Sequence, residues 1–253
     1  MIASERSLYI LRAIHERGVI NLKEVAVELG TSEATIRRDL EKLERAGKLT
    51  RVQGGATSNG GGEESGDMSE LAMRSKMQIN HAEKLAVAAE AAKNVQDGDT
   101  VFLDCGTSIA PLGTILMRRK VRIVTYSTLL LSQVKMPKAE LVMLGGSYDP
   151  HHSIFTGTMA EQMLRSFRFE HAFIGCYGVS LTEGKCYDLD MASTNIKLIG
   201  MENAVHRYLL LDDSKLEKRG FYGFADLAAF DQVYCTRPQQ PMDLPGNFAL
   251  VQK

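Results

Sequence analysis

The sequence is poor in the features that mark export, membrane insertion or metal binding. It has four cysteines in 253 residues, Cys105, Cys176, Cys186 and Cys235. None forms a CxxC pair, so no zinc site is expected. Three lie in or beside apolar runs and read as reduced core thiols of a cytoplasmic protein. No signal-peptide pattern is present, and no apolar run approaches the roughly 18 residues of a membrane-spanning helix, so no membrane partner is expected. No GxGxxG follows a strand-like run. The stretch Gly178 to Lys185 fails as a P-loop, with five residues between its glycines and Cys186 in the hydroxyl position. No Ser-His-Asp pattern stands out. His151 and His152 beside Asp149 could suggest a metal, but on a proline-containing loop they read as solvated side chains, so neither metal nor cofactor is expected. His81 and His171 flank elements and read as structural. Net charge is also lacking: 30 basic residues balance 31 acidic ones.

Composition does not exclude nucleic acid, because the charge is uneven. Between Thr35 and Arg51 six basic residues face three acidic ones. That local excess of three positive charges predicts a confined binding surface. Leu8, Leu11 and Ile14 fit one helix face, which Gly18 ends. Leu22, Val25, Ala26 and Leu29 fit a second helix, closed by Gly30. Thr31 or Ser32 can cap a third, whose inner face is Ile36, Leu40 and Leu43. Two helices joined by a tight glycine turn make a helix-turn-helix. The exposed face of the third helix carries Ser32, Glu33, Thr35, Arg37, Arg38 and Lys42. Its polar N-terminal end is the end that meets base edges, and its arginines suit phosphate or guanine. Gly47 stops it. Residues 48–53 alternate like a strand that carries Arg51, and Gly54-Gly55 turns away, giving a small basic wing. Short amphipathic helices with solvated charged faces are common, so periodicity alone leaves DNA binding open.

Residues 58–67 hold three consecutive glycines and read as a flexible linker between a DNA-binding domain, 1–57, and a second domain, 68–253. Residues 68–93 have a helical pattern. Beyond them, apolar runs at 100–103, 122–125, 141–144, 172–174, 208–211 and 232–234 alternate with helical stretches. That pattern predicts an α/β domain with a mostly parallel sheet. Ligands in such folds bind at the carboxyl ends of strands. The residues that follow these runs are Asp104, Gly106, Thr107 and Ser108, then Tyr126 and Ser127, then Gly145 and Gly146, and later Asp213 and Lys215. Small donors, a lysine and carboxylates would suit a phosphorylated polyol if the sheet order brings them together. Asp188 and Asp190 with Lys185 could line the mouth of such a pocket or form a solvated turn.

Ser32 through Leu40, Leu43 through Arg51 and Gly54-Gly55-Ala56 together resemble the signature of DeoR-type transcriptional regulators, and the resemblance extends over nearly the whole chain. It implies a winged helix-turn-helix that binds operator DNA, most often as a repressor, with Ser32, Thr35, Arg37 and Arg38 at recognition positions. It implies a sensor domain similar to the sugar-phosphate isomerase and coenzyme A transferase fold group. Asp104-x-Gly106-Thr107-Ser108 corresponds to that family's phosphate-cradling Asp-x-Gly-Thr-Thr loop. Lys197 and the stretch Asp212 to Lys215 match lysines expected near the ligand. Tyr126 replaces an Asn and Asp213 a Ser of the usual pattern, which bears on the choice of sugar.

The expected function is a repressor of carbohydrate-metabolism genes, controlled by a phosphorylated sugar and not itself an enzyme. A homo-oligomer, dimer or tetramer, would set two recognition helices one DNA turn apart, roughly 34 Å. The alternatives are an isomerase-like enzyme using Asp104, Asp213, Lys197 and Lys215, and a DNA-binding protein with a vestigial sensor.

Overall fold

The computed structural model describes residues 3–17, 19–52, 54–57, 76–77, 79–131, 136–150, 152–189, 191 and 193–252. The chain divides into two compact units, Met1–Ala72 and Met73–Lys253. The expected linker, 58–67, lies outside the described residues, as do Gly18, His151 and Asp190.

In the first unit α1 (Ala3–Arg17) is followed by β1 (Val19–Asn21), α2 (Leu22–Glu28), α3 (Glu33–Arg45), β2 (Thr50–Val52) and β3 (Gly55–Thr57). Asn21 caps α2 and Ser32 caps α3, each side chain accepting a backbone N–H of the first turn. Gly30, at φ 57°, makes the left-handed turn between them. The α3 face is the expected one: Ile36, Leu40 and Leu43 are buried. The α1 face is not. Ile10, Ala13 and Ile14 are buried while Leu8 is 61% exposed. The stripe that meets α3 is therefore one step round from Leu8–Leu11–Ile14, and Arg6 Nε reaches Asp39 Oδ2 of α3 at 2.8 Å.

The wing is larger than the alternation at 48–53 suggests. β2 and β1 both pair antiparallel with β3, giving the order β1-β3-β2. Three-residue strands are too short to register as a periodicity. Gly55 is required here, since a Cβ would stand 1.8 Å from the Ile20 carbonyl oxygen.

In the second unit residues 76–77 are helical and α4 spans His81–Ala91, both inside the helical pattern read at 68–93, of which 68–75 and 78 lie outside the described residues. Then come β4 (Thr100–Leu103), α5 (Ala110–Leu116), β5 (Arg122–Thr125), β6 (Glu140–Met143), β7 (Ser147–Asp149), β8 (Ile154–Thr156), α6 (Thr158–Arg165) and β9 (Phe169–Ile174). β10 (Gly178–Ser180), β11 (Lys185–Asp188), α7 (Thr194–Glu202), β12 (Ala204–Leu211), β13 (Tyr222–Asp226), β14 (Gln232–Thr236) and β15 (Phe248–Val251) complete it.

Seven strands form one parallel sheet, in the order β15-β14-β12-β9-β4-β5-β6. All six expected runs are in it. Both faces are covered: Phe102 enters one apolar core, and Val101 and Leu103 enter the other. That is why these strands read as continuous apolar runs. β15 and two small antiparallel sheets, β7-β8 and β10-β11-β13, were not anticipated. From β4 the chain proceeds through β5 and β6 to one edge, then returns to β9 and proceeds to the other. The order reverses between β4 and β9, and a crevice opens at such a point.

Candidate functional site

On α3, Ser32, Glu33, Arg37, Arg38 and Lys42 are exposed and Thr35 is half-buried, as a helix offered to a groove requires. Ser32 Oγ accepts the Thr35 N–H at 3.2 Å and lies 2.9 Å from Thr35 Oγ1. The first residues of the face are thus preorganised by the cap. Arg51, on the wing, lies 3.1 Å from Glu41 and 3.8 Å from Glu44. It belongs to the same surface as α3 but shares its charge with two carboxylates. Asp39 faces inward to Arg6 and is 4% exposed. The outward face is therefore more positive than the sequence count implies.

In the second unit the residues gather where the strand order reverses. Asp104 follows the last residue of β4 and is buried. Its carboxylate accepts the Gly175 N–H at 2.8 Å, the Tyr126 hydroxyl, and the Lys197 ammonium at 3.3 Å. Lys197, from α7, also reaches Asp188 at 2.6 Å and the Gly175 carbonyl at 3.0 Å, over the Phe224 ring. Burial alone would lower the Lys197 pKa, but Asp104 and Asp188 together raise it above the ordinary lysine value. It stays charged. Burial raises Asp188 from the ordinary carboxylate value, with Lys197 opposing, and raises Tyr126, with Asp104 adding to the effect.

Around this centre stand two more lysines. Lys215, in the turn after β12, donates to Ser108 Oγ at 3.1 Å and to the Cys176 carbonyl at 2.6 Å. Lys84, on α4, donates to Thr107 Oγ1 at 3.0 Å and to the Lys76 carbonyl at 2.7 Å. Burial and then repulsion from Lys215 bring the Lys84 pKa down to about 8. Gly106, at φ 105°, lets the loop double back so that its carbonyl accepts from both Ile109 and Ala110. A recess beside it is lined by Asp104, Gly106, Ser127 and Leu129.

Asp104, Gly106, Thr107, Ser108, Tyr126, Ser127, Lys197 and Lys215 thus share one neighbourhood. Gly145 and Gly146 stand apart, at the end of edge strand β6, where Gly146 approaches the Thr156 carbonyl. Asp213 bonds Thr236, at the end of β14. Its neighbour Asp212 accepts from Asn80 instead. Lys84 and Asn80 were not among the candidate site residues, whereas Asp188, read as lining a pocket mouth or forming a solvated turn, lies against Lys197. Of Lys84 and Asn80, only the lysine set among the alanines of α4 left a trace in the sequence. Lys185 pairs with Asp226 on the surface, and His171 bonds Asp99. His152 bonds Asp149, and no group of three metal-ligating side chains exists among the described residues. All four cysteines are free thiols; burial pushes Cys176 up to about 11, far from a thiolate. No helix among the described residues is long and apolar enough to cross a membrane.

Two sequence families match. The DeoR-like helix-turn-helix domain covers residues 6–60, and the DeoR C terminal sensor domain covers residues 79–235. Among curated proteins, the lactose phosphotransferase system repressor of Staphylococcus aureus (strain NCTC 8325 / PS 47) is 32% identical over 228 residues, 88% of either chain. The repressor of the same name from Streptococcus mutans serotype c is 32% identical over 227 residues, again 88% of each. Among solved structures, ribose 5-phosphate isomerase A from Methanocaldococcus jannaschii covers 54% of this chain and 55% of its own, at 23% identity and TM-score 0.39. The eIF2B-beta2-delta2 complex of C. thermophilum covers 91% of this chain and 82% of its own, at 10% identity and TM-score 0.44.

Proposed function

The chain belongs to the DeoR family and is a DNA-binding transcriptional regulator, and from that premise we propose that it represses carbohydrate-metabolism genes under control of a phosphorylated sugar. The observation that carries this reading is the convergence of Lys84, Lys197 and Lys215 on the loop from Asp104 to Ser108. Three cations, two hydroxyls and a glycine turn at a strand-order reversal suit a phosphate on a polyol. The names of the relatives, which speak of lactose and a phosphotransferase system, support a sugar that becomes phosphorylated.

The same geometry argues for sensing over catalysis. Asp104 already accepts from Tyr126, Gly175 and Lys197, so about three of the four lone-pair sites of its carboxylate are taken by the protein itself, which suits a structural anchor better than a general base. Lys197 is held charged between two carboxylates and is equally unfit as a base. A sensor must instead favour one of two arrangements of the protein, with different operator affinity. Self-association would set paired recognition helices on a two-fold operator.

The test is fluorescence anisotropy on DNA from upstream of the gene itself, with and without a panel of hexose and pentose phosphates and the parent sugars. The expected result is nanomolar, salt-sensitive binding that one phosphorylated sugar shifts and its parent sugar does not. Binding that only an unphosphorylated metabolite shifts would overturn the effector class. Turnover of ribose 5-phosphate would overturn the regulator-only reading.

A further inference from the structure

Lys84 touches two things at once: Thr107 Oγ1 on the glycine-hydroxyl loop, at 3.0 Å, and the main-chain carbonyl of Lys76, at 2.7 Å. Lys76 and Met77 precede α4, on the side from which the chain arrives from the DNA-binding module. Met77 packs against the apolar core beneath the sheet. The same segment is tied to the site a second time, since Asn80 Nδ2 donates to Asp212 Oδ1 at 2.8 Å and to Ser214 Oγ at 3.1 Å. Residues 76–77 and 79–84 are therefore docked onto the candidate effector site by the side chains that a ligand would contend for.

We propose that Lys84 is the relay from effector to operator: an anion seated on the loop takes the Lys84 ammonium as its own ligand and draws it off the Lys76 carbonyl. This rests on the reading of the site as an effector site. An ammonium has three hydrogens, but a dianion competes for them far better than a neutral carbonyl does, because charge-assisted bonds are roughly twice as strong. Once the carbonyl loses that partner, the segment before α4 loses its polar anchor. The arrangement with the anchor made and the arrangement with it broken are the two states a ligand needs in order to exert control from a distance.

The site is also tuned for this exchange. Lys84 faces Lys215 and Asp212 from the turn after β12, Lys76 from its own approach segment and Glu83 from its own helix. With burial, this setting leaves the amine partly neutral near pH 8. An incoming phosphate favours the charged form, so binding takes up a proton. A lysine that merely filled space would not do this.

The experiment uses the full chain and two measurements on wild type and Lys84→Met. The first is operator affinity by anisotropy, without effector and with the sugar phosphate that shifts the wild type. Without effector, Lys84→Met is expected to move at least fivefold toward the value of liganded wild type, and effector is expected to shift it less than twofold further. Unchanged effector-free affinity in a folded variant overturns the relay, whether or not any sugar phosphate proves active. So does an unchanged ratio between liganded and free affinities at saturation, even if effector binding itself is weakened. If no sugar phosphate shifts the wild type, the effector reading fails by itself, and the effector-free comparison still decides the anchor. The second measurement needs no variant: calorimetric titration of the wild type with inorganic phosphate at pH 8, in buffers of different ionisation heat. Net proton uptake is expected on binding; binding without uptake overturns Lys84 as a ligand.

Discussion

Lys197 Nζ sits 3.3 Å from Asp104 Oδ2, with side-chain exposures of 4% and 0%. The pair joins α7 to the end of β4 across the point where the strand order reverses. Asp188, at 2.6 Å, completes a triad of two carboxylates and one ammonium. Removing one member of a buried pair strands the others, which costs about 3–5 kcal/mol. Lys197→Met is expected to destabilise the protein by that order in urea unfolding. The double variant with Asp104→Asn should cost less than the sum of the two single variants, by about 1–3 kcal/mol. Additive costs would show that the two groups do not depend on each other.

A second prediction concerns the operator. Arg37 and Arg38 are exposed on α3, whereas Arg51 shares its charge with Glu41 and Glu44. Arg38→Ala should weaken operator binding and flatten the log–log salt dependence by about 0.9, the signature of one lost phosphate contact. Glu44→Gln should strengthen binding, since it leaves Arg51 one carboxylate partner, Glu41, in place of two and removes a negative charge from the same surface. A weaker operator complex in Glu44→Gln would exclude Arg51 as a phosphate contact.

Gly55 offers a cleaner separation of the two modules. A Cβ there would stand 1.8 Å from the Ile20 carbonyl oxygen, inside the β1-β3 pairing. The contact is with backbone, which cannot swing aside as a side-chain tip can. Gly55→Ala should dislodge the wing and lower operator affinity at least tenfold. Binding of the sugar phosphate, which uses residues of the second unit, should hold. Loss of both activities would mean that the variant unfolds the whole chain.

Stretches with a continuous apolar run or a helical period were legible, and short stretches of mixed character were not. The inner face of α3 and all six predicted strands of the sheet stand where residue spacing put them, because each has a continuous apolar or 3.6-residue pattern to read. β1, β3 and the strands of the two small antiparallel sheets are about as short as β4, β5 and β6, but they mix polar and glycine residues with apolar ones and so offer neither a continuous apolar run nor enough residues for a period. The α1 face was misplaced because Leu8, Leu11 and Ile14 make an equally regular stripe, and only packing against α3 selects Ile10, Ala13 and Ile14. In the site, chemistry that follows a strand could be found by position, as with Asp104 and Lys215. Lys84 could not, because it comes from a helix that precedes the sheet. Nor could the partition of Asp212 from Asp213 be read. Adjacent carboxylates look alike in sequence, and the turn sends one toward Asn80 and the other toward Thr236.

Lys84 also predicts how stability depends on pH. Its pKa falls from 10.5 in the unfolded chain to about 8 in the fold, chiefly through burial and then through Lys215. Below pH 8 both states carry the proton, and the fold bears the whole cost of a buried charge. Between about pH 8 and 10 the folded amine is increasingly neutral while the unfolded one is still charged. The unfolded state then binds more protons, so this group makes stability rise with pH across the window. Other groups act in the opposite sense at the upper end. Tyr126, raised by burial and Asp104, stays neutral in the fold while the unfolded phenol ionises near 10. The Lys84 contribution is therefore isolated by difference. The unfolding free energy of Lys84→Met minus that of wild type should be largest below pH 8 and shrink steadily toward pH 10. A difference that stays constant with pH would mean that Lys84 keeps an ordinary lysine pKa in the fold, and that its amine has no proton to gain from an incoming anion.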